Sequence, residues 1–253
     1  MNNEQHLKEI LLNSEHWEKK KLLQKVYYGF YNLIKSNLDL AVKGNVVELG
    51  SGIGKIKDII PECITTDIFD NPWVDRVENA YKLKFNDKSV SNLILFDVFH
   101  HLEYPGNAFD EFHRVLNDNG RIIIFDPCMS LLGLVSYGLL HHEPISINKE
   151  IRLYANSDTD VKESGYYAAQ GNAYRIFQNQ KKYESLLSKW EVINYRKYSA
   201  ITYLLSGGYS KPQLYPTSFY GFMKVIDSVC NLIPILYATR MLVVLKKRNM
   251  TDE

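Results

Sequence analysis

The fold is decided by the stretch Val46-Val47-Glu48-Leu49-Gly50-Ser51-Gly52-Ile53-Gly54. Its first part, two β-branched residues followed by an acid and a leucine, predicts a short buried strand, and three glycines at alternate positions come next. Glycine allows a tight turn and a close approach to a ligand, because it has no Cβ. Residues 55–60 predict the start of a helix, whose N-terminal amides would point at a ligand above the loop. A strand, a glycine loop and a helix are typical of the first half of a nucleotide-type βαβ unit.

The spacing of the glycines separates two kinds of cofactor. A dinucleotide-binding loop has the pattern G-x-G-x-x-G, which would require a glycine at position 55, where this chain has Lys55. The pattern here is E-x-G-x-G-x-G, with Glu48 two residues before the first glycine. An ordinary strand-turn-helix with flexible glycines would share this local pattern, so the loop alone leaves the function open.

A second strand that ends in an acid is predicted over Cys63 to Asp67. Asp67 follows Glu48 by 19 positions, close to the interval at which an acid reaches ribose hydroxyls in such folds. Asp70 is a nearby alternative for the same role. Farther along, apolar runs over Ser91 to Val98 and over 121–125 predict two more buried strands, with a helix between them.

Several motifs in this order resemble those of the class I S-adenosylmethionine (SAM) dependent methyltransferases, with a core like that of the type 11 methyltransferases. The glycine loop resembles the family's first motif, and the stretch from Val77 to Asp87 resembles its D-A-x-x-L-P-F-x-D motif, with Asn79 for Asp and Lys84 for Pro. An asparagine carbonyl still accepts a hydrogen bond from an adenine amino group. The run FDVFHHLEYPGNAFDEFHRVLNDNGRIIIFDP, which ends at Pro127, resembles the fourth strand, a helix and the fifth strand.

The resemblance implies an α/β fold, in which N-terminal helices accompany a Rossmann-like, seven-stranded, mostly parallel sheet and a cap is inserted before the sixth strand. It implies SAM as the cofactor, with the glycine loop near the methionyl part, an acid on the ribose and the residues after the fourth strand lining the pocket. No metal ligands are expected. The implied cofactor-binding residues are Glu48, Gly50, Ser51, Gly52, Gly54, Asp67, Ile68, Asn79, Ala80, Asp97, Val98 and Phe99.

Four segments are predicted: a helical segment over 1–43, the SAM-binding core over 44–127, an inserted cap with the acceptor site over 128–188, and the last strands and helix over 189–253. The cap opens with a run of 13 residues without a charge, 128–140, which is shorter than the roughly 20 residues that span a bilayer. We interpret this run as a buried helix; a hydrophobic lid or an interfacial contact is the alternative.

Composition excludes several classes of protein. The 253 residues are 45% hydrophobic and carry a formal net charge of +1, so no overall field favours nucleic acid or an anionic surface. Three scattered cysteines are too few for a disulfide scaffold. A polar N-terminus without a signal peptide favours a cytoplasmic protein, and contact with the periphery of the inner membrane is an alternative location. The oligomeric state is left open.

Candidate catalytic bases are histidines, because imidazole titrates near neutral pH and can take a proton from a hydroxyl. His141 and His142 lie in the cap and His101 follows the fourth predicted strand, although a structural role is an alternative for each. Adjacent histidines point in different directions, so the pair in the cap is a poor metal site.

The expected acceptor is a sugar or glycan precursor. Of the 18 tyrosines, 13 lie beyond residue 130, and tyrosine offers both a flat face and a hydrogen-bonding tip for polyols. The short stretches HHEP and LLSGG also resemble, more weakly, methyltransferases found with bacterial surface-glycan biosynthesis. A quinone-like lipid or small metabolite as acceptor, and a non-catalytic binding module, are the alternatives. Gly52→Val is expected to block cofactor binding.

Overall fold

A computed structural model describes residues 3–139, 144–157 and 167–248. Seven strands form one sheet in the order β3-β2-β1-β4-β5-β7-β6. Neighbouring strands from β1 to β5 are parallel, whereas β7 runs antiparallel to both β5 and β6. This topology confirms the expected Rossmann-like, mostly parallel sheet. The strands are β1 Asn45–Leu49, β2 Ile64–Asp67, β3 Arg76–Val77, β4 Val90–Phe96, β5 Leu116–Pro127, β6 Trp190–Ser199 and β7 Ala238–Lys247.

Helices cover both faces of the sheet and precede its first strand. They are α1 Asn3–Lys19, α2 Lys21–Lys35, α3 Pro105–Val115, α4 Leu131–Leu139, α5 Asn172–Gln178, α6 Glu184–Leu187, α7 Ile201–Ser206, α8 Tyr220–Cys230 and α9 Pro234–Tyr237. Short 3-10 turns occur at Lys55–Asp58, Phe99–His101 and Thr217–Phe219. Within the described residues, no helix combines the length and the hydropathy needed to cross a bilayer.

The core has two halves, one on each side of the sheet, because the central strands are buried on both faces. In β5, Ile122 and Ile124 face the half formed with α3 and α5, while Ile123 and Phe125 face the half formed with α1 and α2. Such double burial explains why these strands read as continuous apolar runs rather than as alternating patterns.

The connection after the glycine loop differs from the expected one. We predicted that residues 55–60 begin a helix, but they form a single 3-10 turn, Lys55–Asp58, so this prediction was wrong. Pro61 follows, and β2 begins at Ile64, which leaves no room for further helical turns. The loop therefore presents its own backbone amides at the sheet edge, without a long helix behind it.

The uncharged run after β5 does form a helix, α4, but the prediction that this helix is buried was wrong for its outer side. Ser136 and Tyr137 face inward, and the Tyr137 hydroxyl donates to the Thr239 carbonyl at 2.8 Å. On the outer side, Leu131 is 60% exposed and Val135 46% exposed. Surface helices usually expose polar side chains, so the exposed apolar side of α4 is unusual.

Candidate active site

The site lies at the edge where the parallel strands end, the usual ligand-binding edge of open α/β sheets. All three glycines of the loop have left-handed backbone, with φ of 64° at Gly50, 54° at Gly52 and 62° at Gly54. A Cβ on Gly50 would overlap the side chain of Val98, and one on Gly54 would overlap the carbonyl of Trp73. A Cβ on Gly52 would meet no heavy atom within 4 Å. Packing therefore requires the outer two glycines, while the middle one faces open space.

Hydrogen bonds to β2 fix the loop. The Ser51 amide donates to the Thr66 carbonyl at 2.8 Å, and the Ser51 hydroxyl accepts from the Thr66 amide at 3.1 Å. The Gly52 amide donates to Oδ2 of Asp67 at 3.1 Å. Ser51 thus has a structural role, and the carboxylate that ends β2 is held beside the middle glycine.

Glu48, at the end of β1, is a buried acid with 3% exposure. Its pKa is raised from 4.5 to about 7: burial is the main cause, a hydrogen bond with Ser51 lowers the pKa, and the nearby Asp67 raises it. No basic side chain of the described residues forms an ion pair with Glu48. A positively charged ligand group beside Glu48 would stabilise the ionised form of this buried acid.

These features fit the expected cofactor, SAM. Glu48 matches a cationic group such as its ammonium, and the open space at Gly52 accommodates a ligand close to the backbone. Asp67 is a carboxylate acceptor suited to hydroxyl donors such as those of a ribose. Ile68 follows it and is 50% exposed, which offers an apolar surface to a planar ring.

The N-terminal helix α1 contacts this corner of the site. Nε2 of His6 lies 3.3 Å from Oδ1 of Asp67, and the His6 ring packs 4.8 Å from the ring of Phe69. Helix α1 therefore contacts the same carboxylate that holds the glycine loop.

On the other side of β2, Asn79 and Ala80 lie in a tight turn. Oδ1 of Asn79 accepts from the Tyr81 amide at 2.9 Å, and Ala80 packs against the core. The Asn79 oxygen keeps a second lone pair for a ligand, so its adenine contact stays a prediction.

Asp97, directly after β4, pairs with a buried arginine. Its φ of 57° is unusual for a residue other than glycine, and its Oδ1 accepts from Nη1 of Arg240 on β7. The Arg240 side chain is 2% exposed and that of Asp97 is 31% exposed, so the acid forms the outer end of the pair. The guanidinium carbon lies 4.7 Å from the centre of the Tyr203 ring.

Two more tyrosines complete this cluster. The Tyr27 ring lies 6.0 Å from the ring of Tyr203 and 5.4 Å from that of Tyr209. Burial raises the pKa of all three phenols, so they remain neutral hydroxyls at physiological pH. The LLSGG stretch, residues 204–208, is followed directly by Tyr209, whose ring packs on Tyr27 of α2.

A second acid–base pair, which was not predicted from the sequence, joins the turn after β4 to the end of β5. Nδ1 of His100 is 3.0 Å from Oδ1 of Asp126, and the Gln170 amide nitrogen is 3.1 Å from Nε2 of His100. Because the amide donates, Nε2 is the acceptor and Nδ1 carries the proton donated to Asp126. An acid at the end of β5, beside the histidines after β4, was the sequence signal that could have identified this pair.

Three buried polar atoms near this pair have no hydrogen-bond partner in the described part of the chain. They are Oδ2 of Asp126, Oδ1 of Asn172 and Oγ1 of Thr239. Asp126 and Thr239 stand on the neighbouring strands β5 and β7. Such atoms are rare in folded proteins, and a water molecule or a ligand group would complete their hydrogen bonding.

The other predicted site residues lie beside His100, in the core or outside the described part of the chain. His101 lies beside His100, and its Nδ1 is 2.8 Å from the Tyr167 carbonyl; His141 and His142 lie outside the described residues. All three stay candidate bases. The Phe99 side chain is 1% exposed and packs in the core, so only its backbone can contact a ligand. The described residues contain no cluster of three potential metal ligands.

Comparison with known proteins agrees with this geometry. Residues 48–124 match the family described as "Methyltransferase domain". The sequence matches no curated protein significantly.

Solved structures of similar fold have low sequence identity. One is a SAM-dependent methyltransferase from Thermotoga maritima, with a TM-score of 0.56 and 14% identity over 95% of this chain and 99% of that one. Another is from a Haloferax volcanii complex of a methyltransferase with the Trm112 methyltransferase activator, with a TM-score of 0.54 and 13% identity over 91% and 93%. A third is geranyl diphosphate C-methyltransferase from Streptomyces coelicolor, bound to S-adenosyl-L-homocysteine, with a TM-score of 0.50 and 10% identity over 89% and 80%.

Proposed function

We propose that this chain, a SAM-dependent methyltransferase with the class I fold, methylates a hydroxyl group of a sugar or glycan precursor. The supporting observation is the set of buried polar atoms without a partner near the end of β5, which includes Oδ2 of Asp126 and Oδ1 of Asn172. Both can only accept hydrogen bonds when the acid is ionised, and a polyol supplies several hydroxyl donors. A quinone-like ring offers few such donors.

SAM, when bound, supplies a methyl group that its sulfonium already activates for transfer to a nucleophile. The protein's task is therefore mainly to hold and orient the two molecules. Glu48 would hold the ammonium, Asp67 would accept from the ribose hydroxyls, and Gly52 would allow the close backbone approach. Val98, which packs on the loop, would close the pocket on the β4 side.

His100 joins the three predicted histidines as a candidate base. Asp126 holds its Nδ1 proton, so Nε2 is the atom that can take a proton from an acceptor hydroxyl. The Gln170 amide now donates to that atom, and an acceptor hydroxyl would have to replace it.

The acceptor class is tested by incubating the protein with labelled SAM and a panel of sugars, glycan precursors and lipid quinones. We expect label on a sugar hydroxyl. Label that appears only in lipid quinones would overturn the sugar proposal in favour of the alternative acceptor, while the methyltransferase assignment would stand.

Calorimetry with SAM and with S-adenosyl-L-homocysteine distinguishes an enzyme that binds the cofactor from a non-catalytic module that does not. We expect Asp67→Asn to lose at least tenfold in affinity for both ligands, because it removes a charged acceptor. The matched control is Glu62→Gln, at an exposed acid just before β2, which should bind both ligands normally. A wild-type protein that binds neither ligand at millimolar concentration would instead indicate a non-catalytic module.

A further inference from the structure

A surface formed by α4, α8 and α9 exposes apolar side chains where a surface is usually polar. Leu232 is 79% exposed, Ile235 72% and Phe222 61%. Exposed apolar area of this kind, when contiguous, marks an interaction site. We call this surface the apolar face; it also includes Leu131, Val135 and Val229.

Helix α8 shows that the exposure is a pattern. Its buried side chains are Met223 and Asp227, four residues apart and therefore on one side of the helix. Phe222, Val225 and Val229, at spacings of three and four, form a stripe that faces away from the protein. The polar acid points inward and the apolar stripe outward, the reverse of an ordinary surface helix.

The three helices form one continuous surface. The Ser130 hydroxyl, just before α4, donates to the Leu236 carbonyl in α9 at 3.2 Å. Helix α9 follows α8 after three residues, and the Ile233 amide in that link donates to the Cys230 carbonyl at 3.1 Å. The exposed side chains are therefore neighbours and not scattered single residues.

Within the described segments that form the apolar face, the exposed charged side chains are all basic. Residues 128–139 carry no charged side chain, and residues 198–239 contain one carboxylate, Asp227, which is 3% exposed and bonded to α7. The exposed charges there are Lys211 and Lys224. Lys25 of α2 adds a third, since its carbonyl accepts from the Tyr220 hydroxyl at the start of α8 at 3.1 Å. We call these three lysines, which lie on α8, in the loop before α8 and on the neighbouring α2, the basic rim.

The apolar face also lies at the same sheet edge as the active site. Strand β5 ends at Pro127, shortly before α4, and β7 begins at Ala238, directly after α9. The end of β5 pairs with Arg240, the partner of Asp97. A ligand held by the apolar face would therefore be close to the acceptor region.

We propose that the apolar face docks on an anionic lipid bilayer, with the side chains of α8 and α9 inserted among the acyl chains and the basic rim at the headgroups. An anionic bilayer attracts lysines electrostatically at its headgroups and takes up apolar side chains among its acyl chains. A second copy of the chain fits less well, because a two-fold contact would bring the rim lysines of both copies together, and the described residues of the face offer no exposed carboxylate to pair them. The inference does not depend on the identity of the acceptor.

Vesicle co-sedimentation of the full chain tests the proposal. We expect binding to vesicles of equal parts phosphatidylglycerol and phosphatidylcholine, and at least tenfold weaker partitioning for Leu232→Ser combined with Ile235→Ser. Both side chains are largely exposed, so the fold should persist, as circular dichroism would verify. The matched control is Leu40→Ser, which is 67% exposed and precedes β1 at the opposite sheet edge; it should bind like the wild type.

Two further measurements examine insertion and charge. Leu232→Trp should show a blue shift of its fluorescence on adding these vesicles, and Leu40→Trp should show none. Lys211→Glu combined with Lys224→Glu should weaken binding at least tenfold, and pure phosphatidylcholine vesicles should bind the wild type more weakly than the anionic ones.

Absence of vesicle binding would overturn the proposal, as would binding that the Leu232→Ser, Ile235→Ser variant retains. A wild-type dimer that this variant dissociates, without vesicle binding, would assign the apolar face to a second copy. Methyl transfer to any soluble acceptor is measured separately, so failure of the docking proposal leaves the proposed function intact.

Discussion

At the scale of single residues, Glu48 combines burial with the absence of a cationic partner among the described residues. Its pKa is raised to about 7 in the folded chain, whereas the unfolded chain ionises near the ordinary value of 4.5. Between these values the folded state holds the proton and the unfolded state does not. Its contribution to stability is therefore largest below pH 4.5 and falls as the pH rises to about 7, by roughly 3 kcal/mol in total.

Glu48→Gln should remove this pH dependence. We expect the free energy of unfolding at pH 8, measured with urea, to rise by roughly 2–3 kcal/mol relative to the wild type, because no buried charge has to form. Affinity for SAM should fall at least tenfold in the same variant, as measured by calorimetry. Glu62→Gln, at an exposed acid just before β2, is the control and should change neither quantity.

Gly52 permits a second residue-scale prediction. Gly52→Val should abolish detectable SAM binding, because the side chain would fill the open space beside the loop. The left-handed backbone adds a destabilisation of about 1–2 kcal/mol. Gly208→Val has nearly the same φ, 51°, and controls for that strain. A folded Gly52→Val protein with normal affinity would contradict the assignment of this space to the cofactor.

At the scale of elements, Asp227 of α8 holds the start of α7. Its Oδ1 accepts from the Ile201 amide at 2.7 Å, and its Oδ2 accepts from the Thr202 hydroxyl at 2.6 Å. The contact joins two helices through free N-terminal amides, which a short helix cannot satisfy itself. It also explains why this acid points inward on a helix with an apolar outer stripe.

Asp227→Ala should lower the free energy of unfolding by about 2–4 kcal/mol, because buried donors would lose their acceptor. Urea unfolding measures this change. Ser228→Ala, at the adjacent exposed position, should change stability by less than about 0.5 kcal/mol. Equal stability of the two variants would contradict the capping role.

Elements with a strong local pattern could be predicted from the sequence, and those set by available length or by distant contacts could not. The apolar run from Ser91 to Val98 located β4 to within about two residues, whereas the run over 121–125 covers only part of β5. Residues Lys55–Asp58 form a 3-10 turn instead of the predicted helix, because the connection to β2 is short. Hydrophobic spacing does not reveal the length that is available for a helix. An uncharged helix such as α4 has the same sequence pattern whether its outer side meets protein, lipid or water.

At the scale of the whole molecule, the parallel sheet brings the ends of β1, β2, β4 and β5 to one edge. The candidate cofactor residues could be predicted because their motifs lie within short stretches of chain. The pairing of Asp97 with Arg240 spans 143 positions, and that of His100 with Asp126 depends on strand neighbours. Such contacts follow from topology and have no signature in local spacing.

Nε2 of His6 lies 3.3 Å from the carboxylate that we assign to the ribose. We expect cofactor association to displace this contact and to move the first turns of α1. In stopped-flow fluorescence, the observed rate should level off at high SAM concentration for the wild type. His6→Ala should restore a linear dependence, and Lys8→Ala, on the exposed side of the same helix, should not. Movement of the N-terminal helix would thereby limit the rate of SAM binding, which precedes methyl transfer.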